Sequence, residues 1–162
     1  MLSNFSLDAH HVGVIVPDLE AAMHAYASNF DISFSVFEVD ETSSTLTNVS
    51  KSFKLRIAFG QISLSALELI QPVSGQTIHA EFLRQNGPGV HHLGFYVEDL
   101  EAAKNGLERR GYSLLAAGEI KNLGAFAYYR ATDLHCVVEP LQLSVGLPLF
   151  LAEHATLRVA TK

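Results

Sequence analysis

The sequence predicts an α+β fold built from two βαβββ modules that follow each other in one chain. The first indication is a repeat, because residues 10–22 and 91–103 match at a constant offset of 81 residues with nine of thirteen positions identical. A repeat of this length is typical of two copies of one supersecondary unit. The second indication is that each copy has the pattern of a strand and then an amphipathic helix, followed by further apolar segments.

The first copy begins with a strand over residues 8–16, an apolar and β-branched run that ends at Pro17-Asp18. Asp18 is placed to cap the helix that follows. An apolar stripe predicts which face of this helix is buried: Leu19, Ala22, Met23, Tyr26 and Phe30. Alternation along the strand turns the valines towards the helix and leaves the opposite face to His11 and Gly13.

The remaining elements follow from apolar alternation and from the breakers between the runs. In the first half we expect one strand within residues 32–48, which loses its alternation in the polar run 40–44, and two more over 53–59 and 62–70, with Gly60-Gln61 as the turn between these two. A short helix is expected at 77–85, before the second copy of the repeat. In the second half we expect a strand at 90–97, a helix at 99–109 that ends at Gly111, and strands at 112–117, 125–132 and 136–143. The predicted units are a first module at 1–72, a linker with the short helix at 73–89, a second module at 90–143 and a C-terminal extension at 144–162.

Composition excludes several classes of partner. A formal net charge of −6 argues against nucleic acid, since binding to a phosphate backbone requires a basic face. No run of eighteen apolar residues predicts a membrane span. The absence of a basic, then apolar, leader and the single Cys136 favour a cytoplasmic protein. Apolar residues in the tail favour a homodimer: Leu147, Leu149, Phe150 and Leu151.

Each half ends on an apolar strand that carries one glutamate, in Leu67-Glu68-Leu69 and in Val138-Glu139-Pro140. An ionised carboxylate among apolar residues is costly unless it is paired, hydrogen-bonded or bound to a metal. No lysine or arginine lies within four positions of either glutamate. The compensating charge must therefore come from elsewhere in the fold, and a divalent cation would supply it.

Histidines complete a candidate metal site. His11 and His92 occupy equivalent positions in the two copies, and Gly13 and Gly94 leave room beside their imidazoles. Two imidazoles and two carboxylates suit Mn, Fe, Co, Ni or Zn and do not suit calcium. The repeat therefore predicts a site for one of these metals, and its ligands are His11, Glu68, His92 and Glu139.

The other histidines and the repeated helix glutamates are interpreted as structural. Alternation turns His10 and His91 away from the ligand face. Glu20 and Glu101 lie in the first turn of each helix, where a carboxylate favours the helix dipole. Isolated histidines are typically solvated or serve as structural hydrogen-bond donors, and this interpretation covers His24, His79, His135 and His154.

The strand–helix signature His-Val-Gly-Val-Ile-Val-Pro-Asp-Leu-Glu, repeated as His-Leu-Gly-Phe-Tyr-Val-Glu-Asp-Leu-Glu, resembles the vicinal oxygen chelate superfamily. This superfamily contains glyoxalase I, methylmalonyl-CoA epimerase, extradiol dioxygenases and the bleomycin- and fosfomycin-resistance proteins. The resemblance covers about residues 8–143. It implies a glyoxalase-like fold, in which the modules form a cupped, barrel-like mixed sheet around a metal with the helices outside.

Residues 68–72 and 82–92 look most like methylmalonyl-CoA epimerase. The resemblance places the metal ligands on the same four residues, in a His-Glu-His-Glu order that glyoxalase I shares. It implies a divalent-metal-dependent epimerase, isomerase or lyase that acts on a small-molecule acid or thioester through a metal-stabilised enolate.

One segment departs from the epimerase pattern. These epimerases carry a glutamate, implicated as the proton-transfer base, just before the third strand, whereas residues 48–54 contain no carboxylate. Glu139 or Glu68 is therefore the expected catalytic base, and Lys51 and Lys54 are weaker candidates because they need a depressed pKa. The substrate is expected to differ from methylmalonyl-CoA.

Three alternatives stay open. The first is a lyase similar to glyoxalase I, which the ligand order does not separate from an epimerase. The second is an extradiol-type dioxygenase, which needs two histidines and one carboxylate, so that Glu68 as a fourth ligand counts against it. The third is a non-catalytic, drug-sequestering binding protein, a class that often lacks the ligand set that this chain keeps whole.

Overall fold

Ten strands and three helices make up the part of the chain that this computed structural model describes, which is residues 9–62, 65–131, 133–146 and 157–159. In chain order they are β1 (Ala9–Ile15), α1 (Leu19–Phe30), β2 (Phe34–Asp40), β3 (Ser44–Leu46), β4 (Lys54–Ile62), β5 (Ser65–Ser74), α2 (Ile78–Asn86), β6 (Gly89–Tyr96), α3 (Leu100–Glu108), β7 (Ser113–Ile120), β8 (Gly124–Ala131), β9 (Cys136–Leu143) and β10 (Leu157–Val159).

All ten strands belong to one mixed sheet, in the order β10-β2-β4-β5-β1-β6-β9-β8-β7-β3. The two copies of the repeat meet at its centre, where β1 and β6 pair antiparallel. On either side the order is the same, because β1 pairs parallel with β5 and β6 pairs parallel with β9. The α+β fold of two related halves is therefore confirmed.

The sheet is cupped, with the helices outside. Its concave side holds one apolar cluster to which both halves contribute, with Ile15 and Phe37 from the first and Leu123 from the second. On the convex side, Val14 and Val16 pack against Leu19 and the rest of the buried face of α1. Helix α3 covers strands β8 and β9 in the same way. The predicted alternation of β1, with the valines facing the helix, is confirmed.

Helices α1 and α3 begin in the same way. Asp18 and Asp99 accept hydrogen bonds from backbone N–H groups three residues later, both at 2.9 Å. The first residue of each helix, Leu19 or Leu100, donates its backbone N–H to a glutamine on the neighbouring strand, Gln71 at 3.3 Å or Gln142 at 3.0 Å. Each glutamine lies three positions after the glutamate of its strand, so the strand that carries Glu68 or Glu139 is tied to a helix.

The turn predicted at Gly60-Gln61 is wrong. Both residues continue β4 and pair with β5, where Gly60 lies opposite Leu67. Glycine is required here because a Cβ at this position would overlap the side chains of Ile32 and Phe34. A glycine inside a strand often marks such a close approach, and the sequence signal of a breaker does not distinguish the two cases.

Other elements also differ from expectation. Phe30 is 68% exposed at the end of α1, so the buried stripe is shorter than predicted. Strand β3 was not expected, and it pairs with β7 of the other half. The C-terminal extension contributes β10, whose backbone pairs with β2. The boundaries at 72, 89 and 143 stay a prediction.

Among the described residues, no helix has both the length and the apolar character needed to cross a membrane. The apolar tail residues behind the homodimer prediction lie outside the described part of the chain: Leu147, Leu149, Phe150 and Leu151. Oligomeric state therefore stays a prediction.

We predict that Gln71→Leu and Gln142→Leu each lower the free energy of unfolding by about 1 kcal/mol, because each removes the partner of a helix N-terminal N–H group. Urea denaturation measures the change. Gln76→Leu, at an exposed position away from α1 and α3, is the control. Equal stability of all three variants would contradict this role for the two glutamines.

Candidate metal centre

The four predicted ligands come together at the centre of the sheet. They lie on four adjacent strands: Glu68 on β5, His11 on β1, His92 on β6 and Glu139 on β9. One donor atom from each lies within 4.8 Å of the other three. All four side chains are buried, with exposures between 0 and 6%. The structure thus brings together the residues that the repeat singled out.

The two histidines point their Nε2 atoms at the same place, 3.0 Å apart. His11 Nε2 lies 2.9 Å from Glu139 Oε2, and His92 Nε2 lies 3.0 Å from Glu68 Oε2. The two other imidazole–carboxylate distances are longer, at 3.3 Å for His11 to Glu68 and 3.4 Å for His92 to Glu139. The shortest contacts therefore pair each histidine with a glutamate two strands away.

Glycines on the intervening strands permit these contacts. Gly13 lies between Glu68 and His92 in one row across the sheet, and Gly94 lies between His11 and Glu139 in the next. A Cβ on Gly13 would overlap the imidazole of His92, and a Cβ on Gly94 would overlap that of His11. Each imidazole therefore crosses a bare glycine to reach its carboxylate, which confirms the predicted space beside the histidines.

Charges within the cluster hold both partners ionised. Burial lowers the pKa of His11, but the neighbouring charge of Glu68 and contacts with Glu139 outweigh it and raise this pKa to about 10. Burial likewise raises the pKa of Glu68, but the charge of His11 and hydrogen bonds from both histidines bring it well below its usual range. A cation between these carboxylates is thus strongly favoured. Two imidazole nitrogens and two carboxylate oxygens are a donor set that fits a divalent transition metal or zinc.

The first histidine of each pair does not point away from the site as alternation predicts. His10 Nδ1 lies 2.9 Å from His11 Nδ1, and His91 Nδ1 lies 3.0 Å from His92 Nδ1. The cause is a β-bulge in each strand, since His10 and His91 are the residues left without a partner where the β1–β6 register shifts. A bulge interrupts strict alternation, and sequence periodicity does not reveal it.

His10 and His91 contact the Nδ1 atoms of His11 and His92 and so orient these two rings. The hydroxyl of Tyr96 lies 2.7 Å from His10 Nε2, so that Tyr96, His10 and His11 form a chain of contacts to the cluster. Burial and the neighbouring His11 lower the pKa of His10 to about 4, so its imidazole is neutral at neutral pH. Contacts to the second ring nitrogen commonly fix the orientation of a metal-binding histidine.

A cavity opens beside the cluster, and His11, Glu68 and Glu139 form part of its wall. Most of the wall is apolar and comes from both halves of the sheet, including Phe37, Ile57, Phe59, Leu123, Phe126 and Leu141. Among the described residues that line it, the carboxylates are Glu68 and Glu139, and none is lysine or arginine. The cavity can thus receive an apolar group next to the cluster.

Two residues of this cavity were not predicted as functional. Tyr128 is buried beside His92, and burial together with the nearby carboxylates of Glu139 and Glu68 holds the pKa of its hydroxyl well above the ordinary value. His79, on α2, is only 2% exposed, which corrects its interpretation as solvated. His79 lies three positions before Phe82 on the predicted helix, and this spacing places both on one face, which indicates that the face is buried. For Tyr128, the adjacent Tyr129 makes it impossible to tell from the sequence which of the two rings faces inward.

The weaker base candidates lie outside the cavity. Lys51 is exposed, and Lys54 forms an ion pair with Glu38 at 2.7 Å. Neither is among the lining residues of the cavity. His24 and His135 are exposed, as predicted, and His154 lies outside the described residues.

Comparison with known proteins identifies the family of this chain. Residues 10–129 match the family described as the Glyoxalase/Bleomycin resistance protein/Dioxygenase superfamily. The chain belongs to this superfamily. It is 31% identical over 113 residues to an ethylmalonyl-CoA/methylmalonyl-CoA epimerase of Cereibacter sphaeroides, which covers 69% of this chain and 77% of that protein. The prediction of a superfamily enzyme of the epimerase or isomerase kind is thereby supported.

Two solved structures show the same superfamily fold. The methylmalonyl-CoA epimerase of Mycobacterium tuberculosis superposes with a TM-score of 0.70 at 21% identity, over 92% of this chain and 96% of that one. A variant of the Streptomyces coelicolor methylmalonyl-CoA epimerase, in complex with 2-nitronate-propionyl-CoA, gives a TM-score of 0.64 at 21% identity, over 85% and 97%. The predicted glyoxalase-like architecture is confirmed.

We predict that Gly13→Ala and Gly94→Ala displace the imidazoles of His92 and His11 and weaken divalent-metal binding. Both should also lower the free energy of unfolding by about 1–3 kcal/mol, as overpacking of a core does. Gly89→Ala on β6 is the matched control, because a Cβ there meets no atom within 4 Å. Metal titration and urea denaturation measure the two effects. Metal affinity as high in Gly13→Ala as in the control would contradict the role of the glycine.

Proposed function

We propose that this protein is a divalent-metal-dependent enzyme that moves the α-proton of an acid or thioester, as an epimerase or isomerase does. The observation that carries the proposal is the buried cluster of two histidines and two glutamates in the wall of an apolar cavity. His11, Glu68, His92 and Glu139 would hold the metal. When bound, the metal would act as a Lewis acid that stabilises negative charge on a substrate oxygen.

Proton transfer falls to the carboxylates of the cluster. Of the described residues that line the cavity, Glu68 and Glu139 are the carboxylates within reach of a bound substrate. One of them would take the proton from the α-carbon, the electron pair of the broken C–H bond would pass into the carbonyl group as an enolate, and the proton would return to the carbon. Tyr128 lies beside the cluster as a neutral hydroxyl, because burial keeps its pKa well above its ordinary value.

The substrate that we propose differs from methylmalonyl-CoA. Residues 47–54, which carry no carboxylate, are absent from the lining of the cavity. The cavity wall beside the cluster is mostly apolar, so burial of an apolar α-substituent there would be favourable. The site therefore suits an α-substituent that is apolar and larger than methyl.

A glyoxalase I-like lyase remains the second candidate, because the expected ligand set is the same. The completeness of the cluster argues against the other two alternatives. A fourth ligand, Glu68, leaves fewer open positions than an extradiol dioxygenase needs. A drug-sequestering protein does not require four buried ionisable ligands, whose desolvation is costly without a function.

We predict that His11→Ala and His92→Ala lower divalent-metal affinity by more than the 10–100-fold that loss of an outer contact typically costs. His24→Ala, which removes an exposed histidine from α1, should leave metal content unchanged. Elemental analysis after dialysis measures the metal, and circular dichroism checks that the fold persists. Equal metal content in wild type and both site variants would remove the proposed function.

We predict slow exchange of the α-proton of methylmalonyl-CoA in D₂O with metal-loaded protein, because the base that the epimerases place before their third strand is missing. Exchange should become faster along the series methylmalonyl-, ethylmalonyl- and butylmalonyl-CoA, since each buried methylene contributes about 0.8 kcal/mol of binding free energy. Proton NMR measures the rates. A rate of about 10 per second or more with methylmalonyl-CoA, typical of a dedicated enzyme, would contradict the proposed substrate but not the proposed chemistry.

A further inference from the structure

His79 is the polar group of the cavity that the proposed chemistry does not use. Outside the four cluster residues, the described polar side chains of the cavity wall are His10, Ser44, His79 and Tyr128. Three of these are engaged. His10 contacts His11 and Tyr96 through its two ring nitrogens, Ser44 donates to the carbonyl of Asp40 at 2.9 Å, and the hydroxyl of Tyr128 interacts with the carboxylate of Glu139.

The imidazole of His79 is not engaged. It is 2% exposed, and neither Nδ1 nor Nε2 has a hydrogen-bond partner among the described residues. Its neighbours contact it with ring surfaces, with centroid distances of 5.4 Å to His91 and 5.3 Å to Tyr128. Burial, together with the nearby His92, lowers its pKa to about 4, so the ring is neutral and carries one N–H donor at neutral pH.

An unpartnered imidazole in such a place costs folding free energy, because a buried donor and a buried acceptor have both lost water. A leucine of similar size would fill the same apolar space without this cost. A buried polar group without a hydrogen-bond partner is expected mainly at a functional site, where a ligand supplies the missing partner.

We propose that His79 is a substrate-binding residue, and that its ring N–H donates a hydrogen bond to an oxygen of the acid or thioester held in the apolar cavity. This inference rests on the proposed function and adds a contact that is independent of the metal ligands. His79 comes from α2, between the two halves, so the helix would bring a recognition group to a site whose other groups lie on the sheet. A substrate oxygen buried against this wall would lose its hydrogen bonds to water. A substrate whose oxygen reaches His79 would regain one of them and would therefore be preferred.

The test compares His79→Leu, which removes both nitrogens, with His79→Gln, which keeps a donor and an acceptor. His24→Leu, at the exposed position on α1, is the control. Three quantities are measured in each metal-loaded variant: the dissociation constant of butylmalonyl-CoA by calorimetry, its α-proton exchange rate and the melting temperature in the absence of thioester. Metal content is measured throughout.

We expect His79→Leu to melt about 2–4 °C higher than wild type, because it removes an unsatisfied buried polar group. The same variant should bind butylmalonyl-CoA about 10-fold more weakly or exchange its proton about 10²-fold more slowly, the order of effect seen when one donor to a reacting oxygen is removed. His79→Gln should recover most of this loss, and the control should match wild type.

A structural role predicts the opposite pattern, since His79→Leu would then lower the melting temperature and leave the affinity unchanged. That result would overturn the inference, as would unchanged affinity and exchange in His79→Leu at any stability. Failure of wild type to bind any of the three malonyl thioesters would instead overturn the proposed function on which the inference rests. The two failures are therefore distinguishable.

Discussion

Two carboxylates buried in the middle of an apolar sheet are the constraint on which the rest of this structure depends. Glu68 and Glu139 have exposures of 6 and 5%, and ionised groups at this depth require compensation by cations or hydrogen bonds. The compensation comes from the opposite module in each case, because His92 reaches Glu68 and His11 reaches Glu139. The pairing of β1 with β6 therefore joins the two halves of the fold and also brings the four side chains of the site together.

Several features of the fold can be understood as support for these crossed contacts. The bare glycines let each imidazole pass over the intervening strand. The bulges at His10 and His91 place a second ring against each ligand histidine. The glutamines three residues beyond each carboxylate bind the strand to a helix N-terminus. Because every one of these features occurs once in each half, the geometry of the site is symmetric although the cavity is not.

The cavity is where the two halves become different. Its helix-borne wall comes from α2, which belongs to the connection between the modules and has no counterpart after the second one in the described chain. His79 therefore approaches the cluster from one side only. An asymmetric substrate needs such a difference, since a symmetric ligand set does not by itself distinguish one face of a carbon from the other. If the proposed function holds, the four cluster residues would determine the kind of chemistry, and the cavity wall would determine which substrate is converted.

The sequence by itself predicted the strand–helix order, the capping aspartates, the candidate ligand set of His11, Glu68, His92 and Glu139, and the space that glycine leaves beside the two histidines. These features depend on residues close together in the chain or occur in both halves, so that the pattern in one half supports the interpretation of the other. Only the tertiary structure decided the bulges at the histidine pairs, the role of Gly60 inside a strand, the pairing of β3 and β10 with distant strands, and the burial of His79. Each of these depends on contacts between segments far apart in the chain, and neither residue periodicity nor turn propensity records which distant side chain a residue will meet.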